Sequence, residues 1–172
     1  MKKLLLLSFI TALFISTIAK AENSIFFVSG GKSSEPESAT ARIGVIGENF
    51  GASLGYLIKS GYPSGDIFDY PCPHNYYRNL GTFDDSKIGV DVYAAYNPVP
   101  WDKIALGGGL YFYERAEISQ SRASGKYYKE SKRTELKPAV SIDNFFIINE
   151  KVVLGVGYHT ILGFQVSLGL AF

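Results

Sequence analysis

The stretch that decides the fold is the last one, Gly163-Phe-Gln-Val-Ser-Leu-Gly-Leu-Ala-Phe172. Phe164, Val166, Leu168, Leu170 and Phe172 share one face of an extended chain, and Gln165, Ser167, Gly169 and Ala171 share the other. One face is broad and apolar, and its opposite is small and polar. The same division recurs upstream. In 87–96, Ile88, Val90, Val92, Ala94 and Tyr96 alternate with Lys87, Gly89, Asp91, Tyr93 and Ala95. In 103–112, Ile104, Leu106, Leu110 and Phe112 alternate with Lys103, Ala105, Gly107, Gly109 and Tyr111. In 135–143, Leu136, Pro138, Val140 and Ile142 alternate with Glu135, Lys137, Ala139, Ser141 and Asp143.

This rhythm predicts eight strands, at 24–31, 39–47, 50–59, 86–97, 102–120, 126–143, 150–159 and 162–172. Short connections at 47–49, 97–100 and 144–150 alternate with longer ones at 32–38, 60–85 and around 121–125, and the last, around Thr160, is tight. Short turns at one end and long loops at the other describe an all-β fold, an eight-stranded antiparallel up-and-down transmembrane β-barrel. Hydrocarbon leaves backbone groups without water, so a spanning sheet must close and its last strand must pair with its first. Eight strands enclose just enough room for side chains, which leaves a pore little aqueous cross-section. Arg42, Asp91, Glu135, Lys137 and Asp143 fall on the inner face, where burial demands partners; an internal network of ion pairs and hydrogen bonds is expected. Trp101, Tyr96 and Phe50 are expected in an aromatic girdle at the short-turn, periplasmic end.

The chain's beginning fits an exported protein. Lys2 and Lys3 precede an apolar run from Leu4 to about Ile18 and an Ala-Lys-Ala site, so 1–21 reads as a signal peptide and 22–172 as one barrel domain. The run is too short for a comfortable spanning helix, which needs about 20 residues. Without Lys2, Lys3 and Lys20 the basic residues fall from 17 to 14 against 16 acidic ones, a balance that argues against nucleic acid as a partner. Cys72 is the single cysteine, so no internal disulfide can form.

A cleaved signal, eight amphipathic strands and a terminal strand ending in Phe172 resemble the small outer-membrane barrels of the OmpX and Ail type. In that family the terminal aromatic with alternate apolar residues resembles the signal read by the barrel-assembly machinery; Phe172, Leu170, Leu168 and Phe164 supply it here. The resemblance implies a monomer in the outer membrane of a Gram-negative cell, with lipid and lipopolysaccharide as surroundings and a role in surface interaction, adhesion or envelope maintenance. It also implies a protruding sheet, and alternation does continue past membrane length through Glu114, Ala116, Ile118 and Gln120.

Candidate chemistry is sparse. The tip Ser121-Arg-Ala-Ser-Gly-Lys-Tyr-Tyr-Lys-Glu-Ser-Lys-Arg133 carries Arg122, Lys126, Lys129, Lys132 and Arg133, cations suited to lipopolysaccharide phosphates or another surface; the bland reading is a solvated loop. His159 lies on the inner face near the outer rim, where lipid A deacylase and palmitoyl transferase barrels keep catalytic groups. The deacylase His-x-Ser pattern needs Ser at 161, and Ile161 stands there, with Thr160 on the opposite face. A lipid A modifying acyl hydrolase is therefore the alternative rather than the expectation, and no catalytic residue is assigned. Cys72 and His74, with Asp66 and Asp69 nearby, lack a second ligand pair, Asp84 and Asp85 suit a turn, and no metal or cofactor is expected. Gly107 to Gly109 has no Lys-Ser/Thr after it and reads as close strand packing. A further alternative inverts the alternation: a soluble periplasmic barrel with the apolar face inside, around an apolar ligand.

Overall fold

The computed structural model describes residues 24–33, 38–58, 63–73 and 75–172, with the side chains of 84–86 excepted. The expected signal peptide and His74 lie outside the described residues. Among the described residues nine strands follow in chain order: β1 Ile25–Ser33, β2 Ser38–Ile46, β3 Phe50–Leu57, β4 Ile67–Phe68, β5 Tyr77–Val99, β6 Asp102–Ser121, β7 Tyr127–Ile148, β8 Val152–His159 and β9 Gly163–Ala171. All but β4 form an antiparallel ladder β7-β6-β5-β3-β2-β1-β9-β8 that closes through β7–β8 pairing. The terminal strand pairs with the first from Ile25↔Ala171 to Lys32↔Phe164, and Ser24 and Phe172 exchange backbone hydrogen bonds of 2.9 Å. The chain is a closed eight-stranded antiparallel barrel, with no sheet edge in its wall.

The polarity of the wall runs opposite to that of a water-soluble protein. Val28, Ile43, Ile88, Val92, Leu106, Leu110, Val140, Ile142, Leu154, Val156, Val166, Leu168 and Leu170 are exposed on the outside, whereas Arg42, Asp91, Lys103, Asp143, His159 and Gln165 are buried in the lumen. Phe50, Tyr96 and Trp101 are exposed at the short-turn end. The soluble alternative, with Phe164, Leu168 and Leu170 inside, is not the arrangement found: they face out, and Gln165 and Ser167 face in.

Inside, the lumen is filled in layers. Ile25, Phe27, Ile46, Tyr93, Ala105, Phe145 and Val153 pack near the short-turn end, and Leu57, Tyr111, Ala139 and Leu162 near the long-loop end. Between them lies the charged layer. Bulky lumen groups fit because glycine faces them: a Cβ on Gly89 would meet the Tyr111 ring, and one on Gly107 would meet Tyr93 and Ser141. The latter accounts for the first glycine of the Gly107 to Gly109 run as close packing.

The main departures from the expected boundaries lie in β5 and β7. β5 begins at Tyr77, well inside the connection expected at 60–85, which also holds β4. β7 runs on to Ile148, so the turn expected over 144–150 shrinks to 149–151, with Asn149 and Glu150 both at positive φ (51° and 63°). The Lys151 N–H donates to the Ile148 carbonyl at 3.3 Å across these two residues, a tight turn whose positive-φ twist suits the flanking strands. The turn expected at 97–100 shifts to Pro100 and Trp101, because β5 continues through Val99.

β5, β6 and β7, of 23, 20 and 22 residues, are more than twice the length of the other wall strands. β3 accompanies β5 only as far as Lys87, and β8 accompanies β7 only as far as Ser141. Past those rungs the three continue as a projecting sheet, its middle strand extending about 25 Å beyond Tyr113 at roughly 3.3 Å per residue. β4 joins this sheet alone, pairing parallel with Tyr127 and Tyr128 of β7.

Candidate functional site

Each group in the charged layer reaches the lumen because its strand turns alternate residues inward. Arg42 of β2, 2% exposed, is bidentate to Asp143 of β7, Nη1 donating at 3.0 Å and Nη2 at 2.5 Å; Nη1 also donates to the Tyr93 hydroxyl at 2.8 Å. A planar guanidinium fork matches a carboxylate in this geometry. Asp91 of β5 accepts from Ser53 Oγ at 3.1 Å, Tyr111 Oη at 2.8 Å and His159 Nε2 at 3.1 Å. Ser53 Oγ lies 2.8 Å from Tyr93 Oη, so the two carboxylate clusters form one network. The expected internal network is present for Arg42, Asp91 and Asp143. Glu135 and Lys137 lie higher, at the long-loop mouth. There Tyr113 Oη donates to Glu135 at 2.6 Å, and Lys87, Lys137 and Arg115 surround the Tyr113 ring, the nearest, Lys137 Nζ, at 4.7 Å from its centroid.

His159 has both ring nitrogens engaged. The backbone N–H groups of Ile161 and Leu162 each donate to Nδ1 at 3.0 Å, so Nδ1 is the acceptor and the ring proton sits on Nε2, facing Asp91. The imidazole, fully buried, latches the tight β8–β9 turn to the far wall. A general base for an acyl hydrolase needs a nitrogen free to take a proton from a reachable hydroxyl. Neither nitrogen is free, and the adjacent Thr160 points outward, its Oγ1 accepting from the Val140 N–H at 3.0 Å. Sequence reasoning placed Asp91 and His159 on the inner face without pairing them, and it assigned no part to Ser53, Tyr93 or Tyr111. The available signal was the bulky inward Tyr93 and Tyr111 among inner-face glycines.

At the tip, the five cations have distinct surroundings. Arg122 lies over the Tyr76 ring at 5.6 Å and Lys126 over Phe68 at 5.3 Å. Lys129 and Lys132 pair with Asp69 at 3.6 and 3.4 Å, and Lys132 also reaches Glu114 at 3.5 Å. Arg133 is exposed, opposite Arg115 on β6. Lys129 and Lys132 hold the Asp69 carboxyl below its ordinary value, and Glu114 with Asp69 raises the Lys132 ammonium. Phe68, Tyr70 and Tyr128 make a three-ring cluster beside these pairs, with centroids 5.4 to 5.7 Å apart. Cys72 lies in the same segment, its N–H donating to Glu130 at 3.1 Å. Among the described residues no group of three or more His, Cys, Asp or Glu is placed to hold a metal ion.

No family model matches the sequence, and no curated protein matches it. Solved structures similar in architecture include Neisserial surface protein A (16% identity over 87% of this chain and 92% of that one, TM-score 0.46). They also include Ail, the attachment invasion locus protein of Yersinia pestis (11% identity, 87% and 92% covered, TM-score 0.40). The latter protein was also solved with the heparin analogue sucrose octasulfate (12% identity, the same coverage, TM-score 0.37).

Proposed function

We propose that this chain is an integral outer-membrane protein whose barrel anchors a projecting sheet for contact at the cell surface, and that it catalyses no reaction. The observation that carries the membrane reading is the inverted polarity of the wall: exposed Leu, Val and Ile outside, buried Arg42, Asp91 and Asp143 within. Water would penalise that outer face, whereas hydrocarbon accepts it, and closure satisfies every wall strand without solvent. Short wall strands of 8 or 9 residues are close to the span of a tilted membrane strand. The contact surface is the tip, where Arg122 and Lys126 lie on aromatic rings and Arg133 is exposed. Phosphates of lipopolysaccharide or of another anionic surface are the chemistry these groups suit. The barrel-assembly machinery would read the terminal strand through Phe172.

The deciding experiment fractionates cells expressing the full chain and compares heated with unheated samples on a detergent gel. A heat-modifiable band that stays with the outer membrane through carbonate or urea washing is the expected result. Recovery as a soluble species in osmotic-shock fluid would overturn the reading. For the tip, the triple substitution Arg122→Ser, Lys126→Ser and Arg133→Ser is expected to weaken binding of purified lipopolysaccharide severalfold without changing the heat-modifiable band.

A further inference from the structure

The β8–β9 turn folds inward over the outer end of the lumen instead of standing out from it. Leu162 is fully buried against Leu57, Tyr111 and Ala139, and a Cβ on Gly55 of β3 would meet its Cδ1. Gly163 permits the reversal: it sits at φ +74°, and a Cβ there would meet the Lys32 carbonyl. The carbonyls of the turn have several donors. Ser33 Oγ reaches the Ile161 carbonyl at 3.0 Å, and Thr40 Oγ1 and Gln165 Nε2 reach that of Leu162 at 3.1 and 2.9 Å. The N–H groups of Ile161 and Leu162 instead share one acceptor, His159 Nδ1.

We propose that this turn is a proton-operated cap on the lumen, shut while His159 is neutral and released when Nδ1 takes a proton. An imidazolium carries N–H groups on both nitrogens, so a protonated Nδ1 would aim a donor at two donors. The Ile161 and Leu162 N–H groups then lose their acceptor while buried, which is unfavourable, so they turn to water and draw Leu162 out of its seat. Charge drives the other way. The network that includes the ring holds two carboxylates, Asp91 and Asp143, against one guanidinium, Arg42, and a proton on His159 balances it. Three groups face the ring: Asp91 of β5 at 3.1 Å, Tyr111 of β6 edge-on at 4.9 Å, and Asp143 of β7, which acts on it through space and is paired with Arg42 of β2. β9 contains no titratable side chain. Proton uptake therefore exchanges two turn hydrogen bonds for charge balance in the lumen, and one atom, Nδ1, serves both.

The test uses the full chain folded in detergent micelles and scans from about pH 8 to about pH 5, the range in which imidazole ordinarily changes charge. Ring nitrogen shifts read the protonation of His159, and amide exchange, corrected for intrinsic rate, is read at Ile161 and Leu162 and, for comparison, along 153–156. His159→Gln keeps an acceptor that does not titrate, and His159→Ala removes the acceptor; a heat-modifiable band shared with the parent protein establishes that each barrel is intact. In the parent, exchange at Ile161 and Leu162 is expected to rise at least tenfold towards acid, in step with the ring signal, while 153–156 stays slow. His159→Gln should be slow and flat across the range, and His159→Ala fast throughout. Exchange in the parent that does not change with pH, or a ring that titrates without any change in exchange, would overturn the cap. An acid rise that persists in His159→Gln would assign it to another group and overturn the role of His159.

Discussion

At the scale of single residues, the buried pair Arg42–Asp143 carries the largest electrostatic stake. Removing one partner strands a charge in the lumen, which costs about 3–5 kcal/mol, whereas replacing both by apolar groups of similar volume is often near neutral. Arg42→Met is therefore expected to lower stability by about 3–5 kcal/mol in a urea titration of the refolded protein. Arg42→Met with Asp143→Leu is expected to recover most of that loss, and equal losses in the two variants would contradict the pairing seen at 2.5 Å. Asp69 supplies a pH prediction at the surface. Its carboxyl is held below the ordinary value by Lys129 first and Lys132 second. A depressed carboxylate contributes stability that is complete above the unfolded value near 3.8 and is lost as pH falls through the lower folded value. Exchange at 67–72, corrected for intrinsic rate, should be flat from neutral pH to about 5 and rise only below about 3.8. Glu114 and Glu130 also face this cluster, so Asp69→Asn is the control that separates its share.

At the scale of elements, the β7–β8 connection can be improved. Asn149 and Glu150 both sit at positive φ, which asparagine tolerates and which a glutamate Cβ opposes by about 1–2 kcal/mol. Glu150→Gly makes the Asn-Gly pair such turns favour, and it should raise stability by about 1 kcal/mol, read as a higher urea midpoint. A lower midpoint would mean that Glu150 makes a contact worth more than the strain. The same connection shows why some boundaries were hidden in the sequence. Asp143-Asn144 resembles the start of a turn, yet Asp143 points into the lumen at Arg42 and the strand continues for five residues past it. Strands such as β9 were legible because one face is exposed outside the wall and the other is buried in the lumen, so Phe164 and Gln165 cannot exchange places. The start of β5 was not, because in 77–83 both faces carry mixed groups: Arg78, Leu80 and Thr82 against Asn79, Gly81 and Phe83. The charged layer was half legible. Alternation put Arg42, Asp91 and Asp143 inside, but which carboxylate meets which cation depends on barrel register, which period two does not specify. Asp69 with Lys129, some 60 positions apart, left no local signal at all.

At the scale of the whole molecule, the membrane reading makes the outer face the stability-determining surface, and a single cation can test it. Val166 lies midway along β9, exposed at 53%, opposite Val156 of β8 and Gly30 of β1. Surrounded by hydrocarbon, an arginine there costs about 2–4 kcal/mol when placed near the bilayer centre, and little near the interfaces. Val166→Arg is therefore expected to lose about 2–4 kcal/mol in lipid vesicles, while Thr134→Arg on the projecting part of β7 loses less than about 0.5 kcal/mol, as an exposed surface change does. Urea titration of both variants against the parent, folded into the same vesicles, measures the difference. If the wall faced water, Val166→Arg would replace exposed apolar area with charge and stability would hold or rise. The two media thus predict opposite signs at one position, and the sign depends on which solvent surrounds the barrel rather than on any contact inside it.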